Sequence, residues 1–205
     1  MFNDKILNEL HRKFGSHRFE DRNEFLFQDL VESIISQQLS TKAANTIYSR
    51  FLELFGKNPH KKRDGSTEFP TPEEVLKMDT EKLRGVGMSY SKAGYVKNIA
   101  QAFKDGDLDV KKIEKMSDEE VIKELTKIKG VGKWTAEMIL IFTLNRPDVF
   151  SIGDAGLKRA IKNLYKLEKE AEILELVAKW SPKRSLACWY LWKSLDNAPL
   201  QKDKK

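Results

Sequence analysis

Cysteine and histidine are scarce in this sequence. The 205 residues include one cysteine, Cys188, and three histidines, His11, His17 and His60. One cysteine cannot form a disulfide within the chain, and a cysteine-ligated iron–sulfur cluster needs four thiolates. The histidines do not have the spacing of zinc ligands. The composition therefore excludes an iron–sulfur cluster, and we expect the protein to require no cofactor.

Long apolar runs are also missing. No run approaches the ~20 residues of a membrane span, and the first residues lack the apolar region of a secretion signal. Hydrophobic residues make up 40% of the chain and charged residues 33%, as in soluble globular proteins. We therefore expect no membrane association and no export. The expected location is the cytoplasm of a prokaryote or the nucleus of a eukaryote.

Acidic residues are slightly outnumbered. The chain has 37 lysines and arginines against 31 acidic residues, a formal net charge of +6. This excess suits a polyanionic partner, but a basic solvated surface explains it equally well. Charge alone therefore permits nucleic-acid binding without establishing it.

Alternating strand patterns are absent, and apolar residues recur with a helical period almost throughout. Thr71 and Ser117 each begin a capping box, and Ser40 is placed to cap another helix. We therefore predict an all-α fold. It has about ten short helices, near residues 6–14, 27–35, 41–55, 72–78, 91–104, 118–127, 133–144, 155–165, 169–180 and 182–195.

The most specific stretch is a glycine turn between two predicted helices, Leu125 to Ala136. Gly130 and Gly132 allow a tight turn and a close approach to a ligand. Free amides at the next helix N-terminus attract anions, and Lys129 and Lys133 add positive charge there. A plain helix–turn–helix corner is the alternative, but the flanking lysines favour a grip on DNA phosphate. Residues 83–87 are a partial echo of this turn.

Two further stretches follow the turn. Residues 148–157 hold Asp154 at the start of a predicted helix, where aspartate is also a common N-cap. Asp148 is the rival carboxylate, but its setting suggests a loop or capping residue. Residues 180–192 carry four aromatic side chains, of which Trp180 and Tyr190 are predicted to belong to the core.

Together these stretches resemble the helix-hairpin-helix (HhH-GPD) DNA glycosylase superfamily, and within it the 3-methyladenine DNA glycosylase II family. The resemblance rests on the Gly-Val-Gly hairpin, on the loop ending at Asp154, and on Trp-x-Pro-x-Arg-Ser-x-Ala…Leu-Trp near the C-terminus. Ser36-Gln37-Gln38-Leu39-Ser40 is similar to the loop from which these enzymes insert a side chain into the duplex. The resemblance to the family covers roughly residues 25–195.

The resemblance implies a two-lobed helical fold with the active-site cleft between the lobes. Lobe one would span about residues 27–135, including the hairpin at 125–136. Lobe two would combine residues 1–26 with 136–205. The implied partner is double-stranded DNA containing damaged bases, and we expect a monomer.

The resemblance also assigns roles to residues. Asp154 would be the catalytic carboxylate that stabilises positive charge on the sugar. Gln38 would be the wedge that fills the gap left by a flipped base. The implied DNA-backbone contacts are Lys129, Gly130, Gly132, Lys133 and Thr135, and the implied base pocket is Trp134, Met138 and Trp192. Family members often hold Na+ or K+ on hairpin carbonyls, here those of Thr126, Ile128 and Val131.

One departure from the pattern narrows the predicted activity. Relatives that also cut the DNA backbone carry a nucleophilic lysine where this chain has Trp134, and an indole cannot form a Schiff base. We therefore predict a monofunctional glycosylase for alkylated purines of the 3-methyladenine type. The alternatives are a bifunctional glycosylase/lyase for oxidised bases and a hairpin module that only binds DNA. The preferred lesion stays open.

Overall fold

The computed structural model describes residues 2–20, 22–58 and 69–196. These residues form no strand, which confirms the predicted all-α class. The basic cluster at residues 61–63 and the C-terminal tail lie outside the described residues. The helices are α1 (Lys5–Phe14), a 3-10 turn (Asn23–Phe25), α2 (Leu26–Ser36), α3 (Thr41–Leu54), α4 (Pro72–Lys77), α5 (Thr80–Gly85), α6 (Tyr90–Lys104), α7 (Val110–Ile113), α8 (Asp118–Thr126), α9 (Lys133–Phe142), α10 (Ala155–Tyr165), α11 (Glu170–Ala178) and α12 (Arg184–Asp196).

Side-chain caps begin most of these helices, as the sequence predicts. The hydroxyl of Ser40 accepts the amide of Ala43 at the start of α3. Thr71 and Ser117 form complete capping boxes at α4 and α8. Two short helices, α5 and α7, were not predicted, because six and four residues are too few to show a period.

The described residues divide into two compact units. Those within Arg22–Ile139 form one unit, in which α2, α4 and α5 pack on α6. The faces that meet there are apolar and fully buried, including Leu30, Leu83, Val96 and Ile99. This packing places the end of α2 and the turn after α8 beside α6, where Lys92 donates to the Gln37 carbonyl and Asn98 to the Lys129 carbonyl.

Residues within Met1–Asp21 and Leu140–Lys205 form the other unit, with α1 and α10 packed on α12. Trp180 and Tyr190 are buried in its core, as predicted. The Asp4 carboxylate accepts hydrogen bonds from Tyr165 and Trp180, each at 2.9 Å, so it joins α1 to this core. No helix in the described ranges is both long and apolar enough to cross a membrane.

Candidate active site

The turn between α8 and α9 is a tight hairpin, as the two glycines predict. Gly130 has a φ of 111°, which favours glycine, and a Cβ there would overlap the ring of Tyr95. Gly132 is different, because a Cβ there would meet no atom within 4 Å. Gly130 is thus required by the fold, whereas Gly132 keeps the outer surface of the turn open.

The outer surface of the hairpin is open and basic. Lys129, Gly132 and Lys133 are exposed, and α9 begins at Lys133. The Lys133 ammonium lies 3.8 Å from the Glu137 carboxylate, while its side chain stays 68% exposed. An anion approaching the first turn of α9 therefore meets the positive end of a helix and exposed lysine charge.

Thr135 differs from the other predicted backbone contacts. The residue is only 2% exposed, and its hydroxyl lies 3.5 Å from the side-chain amide nitrogen of Gln37. The hydroxyl therefore faces the interior of its unit. A contact of Thr135 with phosphate would have to use its backbone N–H.

The loop between α2 and α3 presents Gln38 to solvent. This residue is exposed and has a φ of 57°. That value lies in the left-handed region, which costs a residue with a Cβ roughly 1–2 kcal/mol to adopt. A strained residue persists only where its surroundings hold it. The backbone thus presents the predicted wedge residue in one defined conformation.

Asp154 is a buried carboxylate in the unit that contains α1, α10 and α12. It is 8% exposed and caps α10, where its Oδ1 accepts the Leu157 amide at 2.7 Å. The same oxygen accepts the indole N–H of Trp192 at 3.0 Å. The capping interpretation of Asp154 is therefore correct, and the cap also fixes this carboxylate against an aromatic ring.

Gly156 makes the pairing of Asp154 with Trp192 possible. A Cβ at this position would lie 3.0 Å from the Asp154 carboxylate and 3.3 Å from Trp192. These approaches are tighter than ordinary van der Waals contacts. A residue with a side chain would press on both members of the pair.

Phe142 is a residue that the sequence analysis missed. It follows Trp134 and Met138 on α9 at intervals of four, so the three side chains share one helix face. Phe142 remains 38% exposed and Trp134 43%. The Phe142 ring lies 5.5 Å from that of Trp192, which binds Asp154. The four-residue spacing would have suggested Phe142, but burial is the usual fate of such a phenylalanine.

Asp148, the rival carboxylate, has a structural role. Arg184 binds it through Nε at 2.8 Å and through its terminal nitrogen at 2.9 Å, and Ser181 donates a hydroxyl at 2.7 Å. The Arg184 amide donates as well, so Asp148 caps α12. The hydrogen bonds from Arg184 outweigh burial and lower the pKa of Asp148 below its usual value. The carboxylate is occupied in holding the loop to α12.

Comparison with known proteins supplies the family. Residues 31–183 match the HhH-GPD superfamily of base excision DNA repair proteins. DNA-3-methyladenine glycosylase 1 of Schizosaccharomyces pombe is 39% identical over 172 residues, which is 82% of this chain and 72% of that protein. A Bacillus subtilis relative is 34% identical over 174 residues, or 83% of this chain, and the chain spans 59% of its length.

A solved structure is similar over nearly the whole chain. It shows 3-methyladenine DNA glycosylase (Mag1) from S. pombe in complex with abasic DNA, with a TM-score of 0.82 and 35% sequence identity. The match covers 98% of this chain and 96% of that one. The chain therefore belongs to the HhH-GPD superfamily of base excision DNA repair proteins.

Proposed function

We propose that this protein is a monofunctional DNA glycosylase that hydrolyses the N-glycosidic bond of alkylated purines in double-stranded DNA. The observation that carries the proposal is the buried Asp154 carboxylate, oriented by a helix amide and by the indole of Trp192. The named activities of the relatives and the DNA in the similar solved structure support it.

Asp154 supplies the chemistry. Loss of the base leaves positive charge on the sugar ring, and a fixed carboxylate beside C1′ stabilises that transition state. The carboxylate also orients or deprotonates the attacking water. Its burial strengthens the interaction, because a charge acts over a longer range where water is excluded. The hydrogen bonds from Leu157 and Trp192 hold it in place before the substrate arrives.

Aromatic side chains provide the contacts for the base. The exposed face of Trp134 attracts a cationic alkylated purine through its π-electrons. Trp192 and its neighbour Phe142 offer further stacking surface beside Asp154. The grouping of Trp134, Met138 and Trp192 in one base pocket stays a prediction. An alkylated purine also leaves readily, because its positive charge is neutralised as the bond breaks.

The hairpin and the Gln38 loop would engage the duplex. The amides of the first turn of α9, with Lys129 and Lys133, bind phosphate without reading the sequence. Gln38 enters the stack when the target base leaves it. The exposed left-handed conformation of Gln38 suits this insertion.

Hydrolysis without strand cleavage follows from the residue at position 134. A lyase step needs an amine that forms a Schiff base with the sugar, and Trp134 has none. Lys133 is adjacent, but it lies beside Glu137 and at the phosphate-binding turn. We therefore expect an intact abasic strand as the product.

A monovalent cation at the hairpin is a separate proposal. The carbonyl oxygens of Thr126, Ile128 and Val131 are neutral oxygen donors of the kind that suits Na+ or K+. Ile128 already accepts the Val131 amide at 3.0 Å, and its second lone pair is available to a cation. A bound cation would add positive charge under the phosphate. Replacing K+ by tetramethylammonium at constant ionic strength should then weaken DNA binding.

The test of the activity uses methylated duplex DNA. Wild type is expected to release methylated purine and to leave the strand intact until alkali is added. Asp154→Asn should lower the single-turnover rate by about 100-fold or more while DNA binding persists. Asp148→Asn is the matched control, because it removes a nearby carboxylate that is already paired with Arg184. Its excision rate should stay close to that of wild type.

Other outcomes select the alternatives. Trapping of the protein on DNA by borohydride would establish a bifunctional glycosylase/lyase. Binding of damaged DNA without release of any base, by wild type and variant alike, would establish a DNA-binding module. An active Asp154→Asn variant would remove Asp154 from the mechanism.

A further inference from the structure

Lys92 makes an unusual pair of contacts. It stands in the first turn of α6, and its Nζ donates to the carbonyl oxygens of Ile35 at 2.8 Å and Gln37 at 2.6 Å. These carbonyls belong to the C-terminal end of α2, where the helix leaves its last acceptors without partners. One ammonium group therefore closes the end of α2.

The position of Lys92 is unfavourable for its own helix. The first turn of a helix carries partial positive charge, which disfavours a lysine there. Burial also lowers the pKa of Lys92, because a half-buried ammonium loses part of its hydration. Both unfavourable effects are offset by the C-terminal end of α2, whose partial negative charge attracts the Lys92 ammonium. Lys92 therefore contacts the residues that directly precede Gln38.

The other side of the same loop is tied to the hairpin. The side-chain amide of Gln37 donates to the Gly130 carbonyl at 3.3 Å and lies 3.5 Å from the Thr135 hydroxyl. All of these residues belong to one unit. The backbone of Gln37 is therefore held by α6 while its side chain is held by the hairpin. Gln38, in its left-handed conformation, comes immediately afterwards.

We propose that Lys92 is a positioning residue that holds the insertion loop, Ser36–Ser40, in the conformation from which Gln38 enters the DNA stack. The inference rests on the proposed function, because it assumes that Gln38 is inserted. Lys92 acts through the backbone and need not touch DNA. Without its ammonium, the α2 end would lose its partner and the left-handed state of Gln38 would become one of several conformations.

The experiment measures insertion without catalysis. The probe is a DNA duplex with a tetrahydrofuran abasic-site analogue and 2-aminopurine opposite it, whose fluorescence reports the local stacking. Wild type, Lys92→Met, Lys92→Arg and Lys97→Met are titrated to saturation. Methionine keeps the unbranched chain and removes the charge. Lys97→Met is the matched control, because it removes a lysine from another face of α6.

We expect Lys92→Met to bind the probe within about threefold of the wild-type Kd, since phosphate contacts dominate affinity. Its fluorescence change at saturation should fall by about half or more, because fewer bound molecules have Gln38 inserted. Lys92→Arg keeps donors for both carbonyls and should restore most of the change. Lys97→Met should match wild type.

The outcomes separate two failures. A full fluorescence change with Lys92→Met would refute the positioning role and leave the proposed function intact. If Lys92→Met merely destabilised the protein, its unfolding temperature would fall but the change at saturation would not, which also refutes the role. A wild-type protein that binds the probe without any fluorescence change would overturn insertion of Gln38, and with it the positioning role of Lys92, whereas the glycosylase activity is tested separately by the release of methylated purine.

Discussion

Asp154 shows how one side chain serves structure and chemistry together. A carboxylate that caps a helix is held by an amide, and here the indole of Trp192 holds it as well. Phe142 in turn packs beside Trp192. The orientation of the carboxylate therefore depends on close packing at Gly156, where no side chain intervenes.

Gly156→Ala tests this packing. Alanine is favoured in a helix by about 1 kcal/mol, which offsets the crowding, so the free energy of unfolding should change by less than about 1 kcal/mol. The excision rate should fall about 10-fold, because Asp154 and Trp192 must move apart by a few tenths of an ångström. Gly153→Ala is the control, since a Cβ there meets nothing within 4 Å. Equal rates for the two variants would contradict the prediction.

At the scale of elements, the hairpin between α8 and α9 assigns different tasks to its two glycines. Gly130 adopts a left-handed conformation against the ring of Tyr95. Gly132 has open space where a side chain would project. One glycine builds the turn, and the other leaves its outer face accessible.

The two glycines therefore predict opposite phenotypes. Gly130→Ala should reduce the free energy of unfolding by about 3 kcal/mol, from overpacking against Tyr95 and from left-handed strain. Gly132→Ala should leave stability nearly unchanged and weaken DNA binding, because a methyl group would crowd the approaching phosphate. Urea unfolding and a binding titration measure the two effects. Similar unfolding curves for both variants would be inconsistent with the geometry.

The start of α12 is held by a second local arrangement, the hydrogen bonds of Asp148. Asp148 is held by Arg184 and Ser181, and its pKa lies below the usual carboxyl value of ~3.9. A group with a lowered folded-state pKa stabilises the protein above its unfolded value. That stabilisation is lost as the pH falls through the folded value.

Asp148→Asn should therefore destabilise the protein in a pH-dependent way. At pH 6 the loss should be about 1–2 kcal/mol, from the cap and the charge-assisted hydrogen bonds. Below pH ~4 the difference from wild type should narrow, because Asp148 takes up a proton first in the unfolded wild-type chain and, at lower pH, in the folded protein. Urea unfolding at pH 6 and pH 3 measures it. A difference that is constant with pH would show that the ionised form contributes nothing.

At the scale of the whole molecule, the net charge of +6 favours association with a polyanion but does not locate the binding site. DNA binding should weaken steeply with salt, because each phosphate contact releases counterions. Lys129→Gln and Lys133→Gln should each reduce the slope of log Kd against log salt by about 0.9. Lys169→Gln, in the other unit, should leave it unchanged. A salt-independent Kd would contradict the proposed phosphate contacts.

Local patterns in the sequence were sufficient for much of this description. The helical class, the caps at Ser40, Thr71 and Ser117, and the glycine hairpin depend on neighbouring residues. Such preferences act within one or two turns, so a sequence displays them directly. The family motifs could be recognised for the same reason, since each lies within a short stretch of sequence.

Side-chain surroundings were decided only when distant segments packed together. Thr135 is buried and Phe142 is exposed because of the segments that pack around them. The hydrogen bonds of Arg184 to Asp148 and of Lys92 to Gln37 join residues far apart in the chain. Spacing along a helix identifies a face, but not what covers it. Tertiary packing determines which polar groups form pairs and which aromatic rings remain exposed, so these features are defined only in the folded chain.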